Sequence, residues 1–175
     1  MNDLESISEK INRISQSRGI KKILFVCLGN LCRSPMAEYM LRDRLESKGN
    51  TDIKISSGGF LDQTGARVPK EIHNLMHEAG IDISAHRSSP VNIERIRESD
   101  LIIVMEMRQR DVLARQCPED VSRIFLLSQF DKQNHEERDI SDPMGETTSY
   151  YQTCFNEIRI FVEGLTELIL SISSK

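Results

Sequence analysis

One segment of the sequence places a cysteine, an arginine and a serine at a spacing that suits nucleophilic chemistry on phosphate. It is VCLGNLCRSPMAE, residues 26–38, in which five residues separate Cys27 from Arg33 and Ser34 follows directly. A tetrahedral anion is bound well by a ring of backbone N–H groups that leads into a helix N-terminus. The planar guanidinium of an arginine contacts two phosphate oxygens at once. The segment therefore predicts a phosphate-binding loop that begins with a reactive cysteine.

The same groups favour the ionised, nucleophilic form of the Cys27 thiol. Backbone donors, the helix dipole and Arg33 all stabilise negative charge on the sulfur, so no histidine base is needed. Ser34 can donate its hydroxyl hydrogen to the sulfur and so stabilise Cys27 as the leaving group of a second step. Gly29 lets the loop fold tightly, and Asn30 tolerates a left-handed backbone conformation. A lone cysteine at a strand end is usually a small buried apolar residue, and the combined pattern is what favours catalysis.

Alternating strands and helices must position this loop. The predicted strands cover residues 21–27, 52–56, 100–105 and 123–127, and the predicted helices cover residues 35–48, 70–79, 108–116 and 149–173. Strands separated by helices pair in parallel through right-handed crossovers. The pattern therefore predicts an α/β fold with a single domain, in which helices cover both faces of a four-stranded parallel sheet. Such a sheet places its site beyond the carboxyl ends of the strands, where Cys27 lies.

The N-terminus is predicted to be a helical extension, residues 1–19, that precedes a domain of residues 20–175. Its apolar residues recur at three- and four-residue spacings and are Leu4, Ile7, Ile11 and Ile14. This pattern is typical of an amphipathic helix, which ends at Gly19. The apolar stripe either packs on the domain or contacts a partner or a second copy of the chain. The sequence does not distinguish these alternatives, and it does not define the oligomeric state.

Composition excludes several classes of function. The formal net charge of −4 leaves no basic surplus for binding the backbone of a nucleic acid. No stretch approaches the roughly 20 apolar residues that span a bilayer, and the N-terminus lacks the apolar core of a signal peptide. The four cysteines lack the spacing of a secreted disulfide scaffold, which favours a reducing cytoplasm. No cluster of metal ligands is visible, so we expect neither a metal nor another cofactor.

The loop sequence VCLGNLCRSP resembles the active-site signature of the low-molecular-weight protein tyrosine phosphatases. The resemblance covers about residues 21–173 and includes, in the same order, a turn with the sequence SGG at 57–59, IDISAHRSS at 81–89, DLIIVME at 100–106 and Asp142-Pro143. It implies the four-stranded parallel fold of that family and a cysteinyl-phosphate intermediate. It also implies that phosphate is bound by the residues that follow the nucleophile, which are Leu28, Gly29, Asn30, Leu31, Cys32, Arg33 and Ser34.

The resemblance also implies an acid, Asp142. One carboxyl group can protonate the leaving oxygen and later activate water, and such a group contributes roughly 10²–10⁴-fold to the rate. Pro143 restricts the backbone of the residue before it and so helps to fix the carboxylate. Without the resemblance, Asp139 and Asp131 would be equal candidates. The predicted catalytic residues are then Cys27, Arg33 and Asp142.

Further residues are implied to support the loop or to protect it. The network that supports the loop in the family maps onto Asn30, Ser34, Ser57 and His86. Many members carry a cysteine at the position of Cys32 that pairs reversibly with the nucleophile, so we expect a Cys27–Cys32 disulfide under peroxide. The family often has an aspartate where this chain has Glu106, and the chain departs from the pattern there.

The clues to the substrate disagree. The large aliphatic Leu31 resembles the tyrosine-directed members, whereas the arginine phosphatases of the family tend to carry threonine there. However, Met144 and Gly145 follow Asp-Pro where tyrosine-directed members often place an aromatic residue, and Asp-Pro-x-Gly also occurs in the arginine branch. Because Leu31 lies inside the phosphate loop, we predict a phosphotyrosine protein as the substrate and keep phosphoarginine as the alternative. Phe60 is a candidate for the missing aromatic wall.

Two other functions are disfavoured. Arsenate reduction on this fold needs further redox cysteines, and Cys117 and Cys154 are not a close pair in the sequence. A phosphate-binding module without turnover would belong to a different class of protein. The presence of a nucleophile, an arginine and an acid together argues against it.

Overall fold

Four parallel strands form the centre of the computed structural model, which describes residues 6–173. The strands are β1 Lys22–Cys27, β2 Lys54–Gly59, β3 Leu101–Val104 and β4 Ile124–Leu126. They lie in the order β2-β1-β3-β4, and every neighbouring pair is parallel. The strand that delivers Cys27 is therefore central, with β2 and β3 on either side of it.

The helices lie between and around these strands. Within the described residues the α-helices are α1 Ile7–Arg18, α2 Arg33–Ser47, α3 Lys70–Glu78, α4 Ile93–Glu98, α5 Met107–Gln116 and α6 Thr148–Ser173. Short 3₁₀ turns flank β4 at Pro118–Arg123 and Leu127–Phe130. No helix in this part of the chain has both the length and the apolar character needed to cross a membrane.

Successive side chains of β1 point to opposite faces of the sheet, and they divide the core into two layers. Ile23, Phe25 and Cys27 pack on the face of the sheet covered by α1, α2 and α6. Leu24 and Val26 point to the opposite face and pack with α4 and α5. Helices therefore cover both faces, and the predicted four-stranded α/β fold is confirmed.

The end of β2 differs from the prediction. Residues 57–59 were expected to form a turn after a strand at 52–56, but they continue β2, and Gly58 and Gly59 lie opposite Val26 and Cys27. A Cβ atom on Gly59 would lie 3.0 Å from the backbone nitrogen of Asn30. Glycine is therefore needed here for a close approach between β2 and the phosphate loop rather than for a turn.

The short helix α4 was not predicted. It has six residues, too few for a clear helical period, and it begins at Asn92, whose side-chain oxygen accepts a hydrogen bond from Arg95 N at 2.9 Å. Strands β3 and β4 are also shorter at both ends than expected from the sequence. The other predicted elements agree to within two residues.

The described part of the N-terminal extension packs on the domain. Helix α1 begins with a capping box between Ser6 and Glu9 and ends before Gly19, as predicted. Ile11 and Ile14 are buried in the same core layer as α2 and α6, which favours packing on the domain over a contact with a partner. The first position of the predicted stripe, Leu4, lies outside the described residues. The division into residues 1–19 and 20–175 stays a prediction.

One aspartate joins this helix to the sheet. Asp100, just before β3, forms an ion pair with Arg18 Nε at 2.9 Å. Its other oxygen accepts hydrogen bonds from the backbone nitrogens of Lys21 and Lys22 at 2.8 and 2.9 Å. The start of β1 is therefore held by the residue that directly precedes the neighbouring strand β3.

Candidate active site

The loop between β1 and α2 follows the path that the sequence predicts. Cys27 ends β1 at the carboxyl edge of the sheet, and α2 begins at Arg33. Asn30 has φ of 53° and is the one non-glycine residue with a positive φ in the described chain. Cys32 precedes α2 without capping it through its side chain, so the backbone N–H groups of the first turn can bind an anion.

The sulfur of Cys27 faces hydrogen-bond donors inside this loop. Its Sγ atom lies 3.0 Å from Ser34 Oγ and accepts a hydrogen bond from the backbone nitrogen of Asn30 at 3.3 Å. The Cys27 residue is only 2% exposed. Donors of this kind stabilise a thiolate more than a neutral thiol.

Asn30 connects the loop to the elements around it. Its Nδ2 atom donates to Ser34 Oγ at 2.9 Å and to Ser57 Oγ at 2.8 Å. Its backbone oxygen lies 3.0 Å from His86 Nε2. The structure thus brings together the four residues that the resemblance assigned to loop support, and their effect on activity stays a prediction.

Arg33 is held by acceptors on two other segments. It is 1% exposed and donates through Nη1 to Ile140 O at 2.8 Å and to Glu106, and through Nη2 to Asp142 Oδ2 at 2.5 Å. Burial alone lowers the pKa of Arg33, but the negative charges of Cys27, Asp142 and Glu106 outweigh it and raise the pKa. Its Nε atom is buried and has no hydrogen-bond partner among residues 6–173, so it remains a donor for an anion in the loop.

The predicted acid, Asp142, lies at the edge of the site. Its side chain is 32% exposed, and its Oδ1 atom accepts a hydrogen bond from Met144 N at 3.2 Å. The following turn is attached to α6, because Gly145 N donates to the hydroxyl of Tyr151 at 3.3 Å. The carboxylate therefore lies next to Arg33 and still reaches solvent, and its role as the acid stays a prediction.

Several residues of the site were missed or left open by the sequence. Glu106 was noted only as a departure from the family pattern, yet it bonds Arg33 and accepts from Gln109 Nε2 at 2.9 Å. Glu38 was not singled out, although it accepts from Ser57 Oγ at 2.5 Å. The signal for Glu38 was its place four residues after Ser34, on the same face of α2.

The other cysteines are buried free thiols. Burial, and then the negative charges of Asp142 and Cys27, raise the pKa of Cys32 far above its ordinary value. Burial likewise raises the pKa of Cys154 to about 12. Cys117 belongs to the core layer on the opposite face of the sheet. The predicted Cys27–Cys32 pairing stays a prediction.

Exposed apolar side chains lie around the mouth of the loop. Leu28 and Leu61 are exposed and adjacent, because Leu61 N donates to Leu28 O at 2.9 Å. Met144 is exposed beyond Asp142. Phe60 is half-buried against the core layer on the α4 and α5 side, which disfavours the aromatic wall that the sequence suggested for it.

Comparisons with known proteins agree with this geometry. A sequence profile of the low molecular weight phosphotyrosine protein phosphatases matches residues 22–173. The chain is 32% identical over 146 residues to a protein-arginine-phosphatase of Geobacillus stearothermophilus, covering 83% of this chain and 94% of that one. It is 33% identical over 141 residues to a low molecular weight protein-tyrosine-phosphatase of Acinetobacter johnsonii, covering 77% and 92%.

A solved structure shows the same similarity. The low molecular weight protein tyrosine phosphatase from T. tengcongensis superposes with a TM-score of 0.76 at 32% sequence identity, covering 84% of this chain and 98% of the other. The sequence profile, the relatives and the fold all give one assignment. The chain belongs to the low molecular weight phosphotyrosine protein phosphatase family.

Proposed function

We propose that this enzyme hydrolyses phosphotyrosine in proteins through a cysteinyl-phosphate on Cys27. The observation that carries the proposal is the placement of the Cys27 sulfur, 3.0 Å from Ser34 Oγ, at the start of a helix whose first residue is Arg33. A sulfur that only filled the core would not need donors around it. Membership of a protein phosphatase family supports phosphoproteins as the substrates.

In the first step the Cys27 thiolate attacks phosphorus in line with the leaving oxygen. The sulfur–phosphorus bond forms as the bond from phosphorus to the tyrosyl oxygen breaks, and Asp142 gives its proton to that oxygen. The equatorial oxygens are bound by Arg33 and by the backbone N–H groups of residues 28–34. The free Nε donor of Arg33 supports this role.

In the second step water hydrolyses the cysteinyl-phosphate. The Asp142 carboxylate accepts a proton from the water as its oxygen attacks phosphorus, and the sulfur leaves with the bonding electron pair as a thiolate. Ser34 and the backbone N–H of Asn30 stabilise that thiolate. Both steps use only an ester, water and side chains of this chain, so the mechanism calls for no metal or cofactor.

The choice of tyrosine over arginine rests on the mouth of the site. One relative is named a protein-arginine-phosphatase and another a protein-tyrosine-phosphatase at nearly equal identity, so similarity does not decide the substrate. The exposed side chains of Leu28, Leu61 and Met144 offer apolar surface, which suits a phenyl ring better than a guanidinium. Leu31 inside the loop supports the same choice.

The cellular setting follows from the same features. We propose that the enzyme acts in the cytoplasm, and the four free cysteines, one of them the nucleophile, support a reducing compartment. The net charge of −4 supports a protein substrate over a nucleic acid.

The test compares phosphate release from matched peptides that carry phosphotyrosine, phosphoarginine or phosphoserine. We expect kcat/KM for phosphotyrosine to exceed the other two by at least about tenfold, with no release by Cys27→Ala. A preference for phosphoarginine would establish the alternative activity. Release that persists in Cys27→Ala, or binding without release by the parent protein, would overturn the mechanism.

A further inference from the structure

A continuous set of hydrogen bonds leads from the Cys27 sulfur to a carboxylate on α2 that the mechanism does not use. Ser34 Oγ lies 3.0 Å from the sulfur, and Asn30 Nδ2 donates both to Ser34 Oγ and to Ser57 Oγ. Ser57 Oγ in turn donates to Glu38 Oε2 at 2.5 Å. Asn30, Ser34, Ser57 and Glu38 are all buried, so water does not replace these bonds.

The direction of these bonds follows from what each atom can donate. Ser89 N lies 3.0 Å from the Asn30 side chain, and a backbone N–H can only donate, so the atom that faces it is Oδ1. The two hydrogens of Asn30 Nδ2 are then directed at Ser34 and Ser57. Because Ser34 Oγ accepts one of them, its own hydrogen is available for the Cys27 sulfur.

Glu38 completes this arrangement from the other end. Ser57 Oγ accepts from Asn30, so its own hydrogen needs an acceptor, and Glu38 Oε2 provides it. The second oxygen of Glu38 accepts a hydrogen bond from Arg42 Nη2. A carboxylate is the side chain that accepts from both neighbours at once, whereas an amide offers one acceptor and one donor.

We propose that Glu38 is a positioning residue, which accepts the hydrogen of Ser57 and so keeps Ser57 as an acceptor for Asn30. Held in this position, Asn30 leaves Ser34 free to donate its own hydrogen to the Cys27 sulfur. Glu38 touches neither the sulfur nor the substrate and acts through Ser57 and Asn30. The donated hydrogen matters most when the sulfur–phosphorus bond breaks and the sulfur takes the electron pair. The proposal rests on the proposed function, because it assigns the leaving group to Cys27.

Glu38→Gln tests the proposal with little change in shape. The cationic Arg42 attracts the amide oxygen, which turns the amide nitrogen toward Ser57, so Ser57 Oγ faces two donors and Asn30 loses its fixed position. We expect kcat to fall about tenfold, the effect of one hydrogen bond to a charged group, while kcat/KM falls less than about threefold. Rapid mixing with p-nitrophenyl phosphate should then show a larger burst, because the phosphoenzyme accumulates.

Removing Arg42, which attracts the amide oxygen introduced by Glu38→Gln away from Ser57, should restore the kcat that Glu38→Gln loses. In Glu38→Gln combined with Arg42→Ala, the oxygen is free to face Ser57, so we expect most of the lost kcat to return, while Arg42→Ala alone changes kcat less than about twofold. If Glu38 only stabilised the fold, the double variant would be worse than the single one. Recovery supports the proposal, and a further loss overturns it.

Ser57→Ala gives an independent test if Glu38→Gln does not fold. It interrupts the chain between Glu38 and Asn30, so we expect the same selective fall in kcat, and no further fall when Glu38→Gln is added. Equal falls in kcat and kcat/KM, or additive effects, would contradict the proposal. A parent enzyme that shows no turnover would instead defeat the proposed function, so the two failures are distinct.

Discussion

The phosphate loop and the segment that carries Asp142 meet at Arg33, but they are held in place in different ways. Cys27 and Ser34 are buried in the loop, and its buried central residue, Asn30, bonds through both its backbone and its side chain. The acid segment is more exposed, and the turn after Asp142 is attached to α6 by the hydrogen bond from Gly145 to Tyr151. Arg33 itself contacts this segment at Ile140 and Asp142.

The difference matches what each region must do. In the proposed mechanism the loop binds the same oxyanion in both steps, so it benefits from a fixed shape. The same mechanism requires Asp142 to release Arg33, protonate one oxygen and later accept a proton from water, so its carboxyl group must be free to change partners. We therefore expect substitutions in the loop to lower both stability and activity, and substitutions in the acid segment to lower activity alone.

Of four substitutions in or beside these two regions, Asp142→Asn in the acid segment should lower kcat most. The amide has no proton to give, so kcat should fall roughly 10²-fold or more. The fall should be larger with phenyl phosphate than with p-nitrophenyl phosphate, because the poorer leaving group needs protonation more. The amide oxygen still accepts from Arg33, so thermal unfolding should show a loss of stability below about 1 kcal/mol. Equal falls with both esters would remove Asp142 from the role of acid.

Asn30→Ala in the loop should instead lower stability strongly and lower kcat less than Asp142→Asn does. The substitution removes three hydrogen bonds of a buried side chain and places alanine at a positive φ. We expect stability to fall by about 2 kcal/mol or more, and kcat to fall roughly tenfold. Urea unfolding and steady-state kinetics measure the two effects on one preparation. An active variant with parental stability would show that the loop is not held by this residue.

The two regions also differ in how far the sequence predicts them. The loop follows from a local pattern, because a strand that ends at Cys27, five further residues and a helix that begins at Arg33 already place Cys27, Arg33 and Ser34 around one point. The position of Asp142 needed the resemblance to a family, since residues 139 and 131 carry the same side chain. Its contact with Arg33 joins residues 109 positions apart in the chain.

Other features depended on packing that a single sequence does not show. The resemblance predicts a turn at 57–59, but Gly58 and Gly59 belong to β2, and the close approach of the loop to β2 is the reason for Gly59. Glu38 contacts Ser57 on β2, and Tyr151 contacts Gly145 in the turn before α6, and both contacts arise only when the chain is folded. Helix α4 is too short for its periodicity to be recognised.

Cys32→Ala should have a smaller effect, a several-fold loss of the activity that is recovered after peroxide treatment. It tests whether Cys32 protects the nucleophile from oxidation. We expect peroxide to convert the Cys27 thiolate to a sulfenic acid, which the Cys32 sulfur would attack to form a disulfide with loss of water. Since burial raises the pKa of Cys32, its thiolate fraction and the rate of disulfide formation should rise about tenfold per pH unit between pH 6 and 9.

Activity recovered with dithiothreitol after a timed peroxide pulse measures this protection. We expect the parent to recover several-fold more activity than Cys32→Ala, and the difference to widen as the pH rises. Mass spectrometry of the oxidised parent should show the loop peptide with an internal disulfide. Equal recovery in the two proteins at every pH would show that Cys32 does not protect the nucleophile.

The smallest effect is expected for Tyr151→Phe, which loosens the acid segment without touching the loop. The hydroxyl of Tyr151 is buried, burial raises its pKa, and it accepts the hydrogen bond from Gly145 N. Without that bond Asp142 should reach the leaving oxygen less often, and kcat should fall about threefold with stability reduced by about 1 kcal/mol. The fall should be greater for phenyl phosphate than for p-nitrophenyl phosphate, as for Asp142→Asn but weaker. A fall that is the same for both esters would mean that Tyr151 supports the fold and does not position the acid.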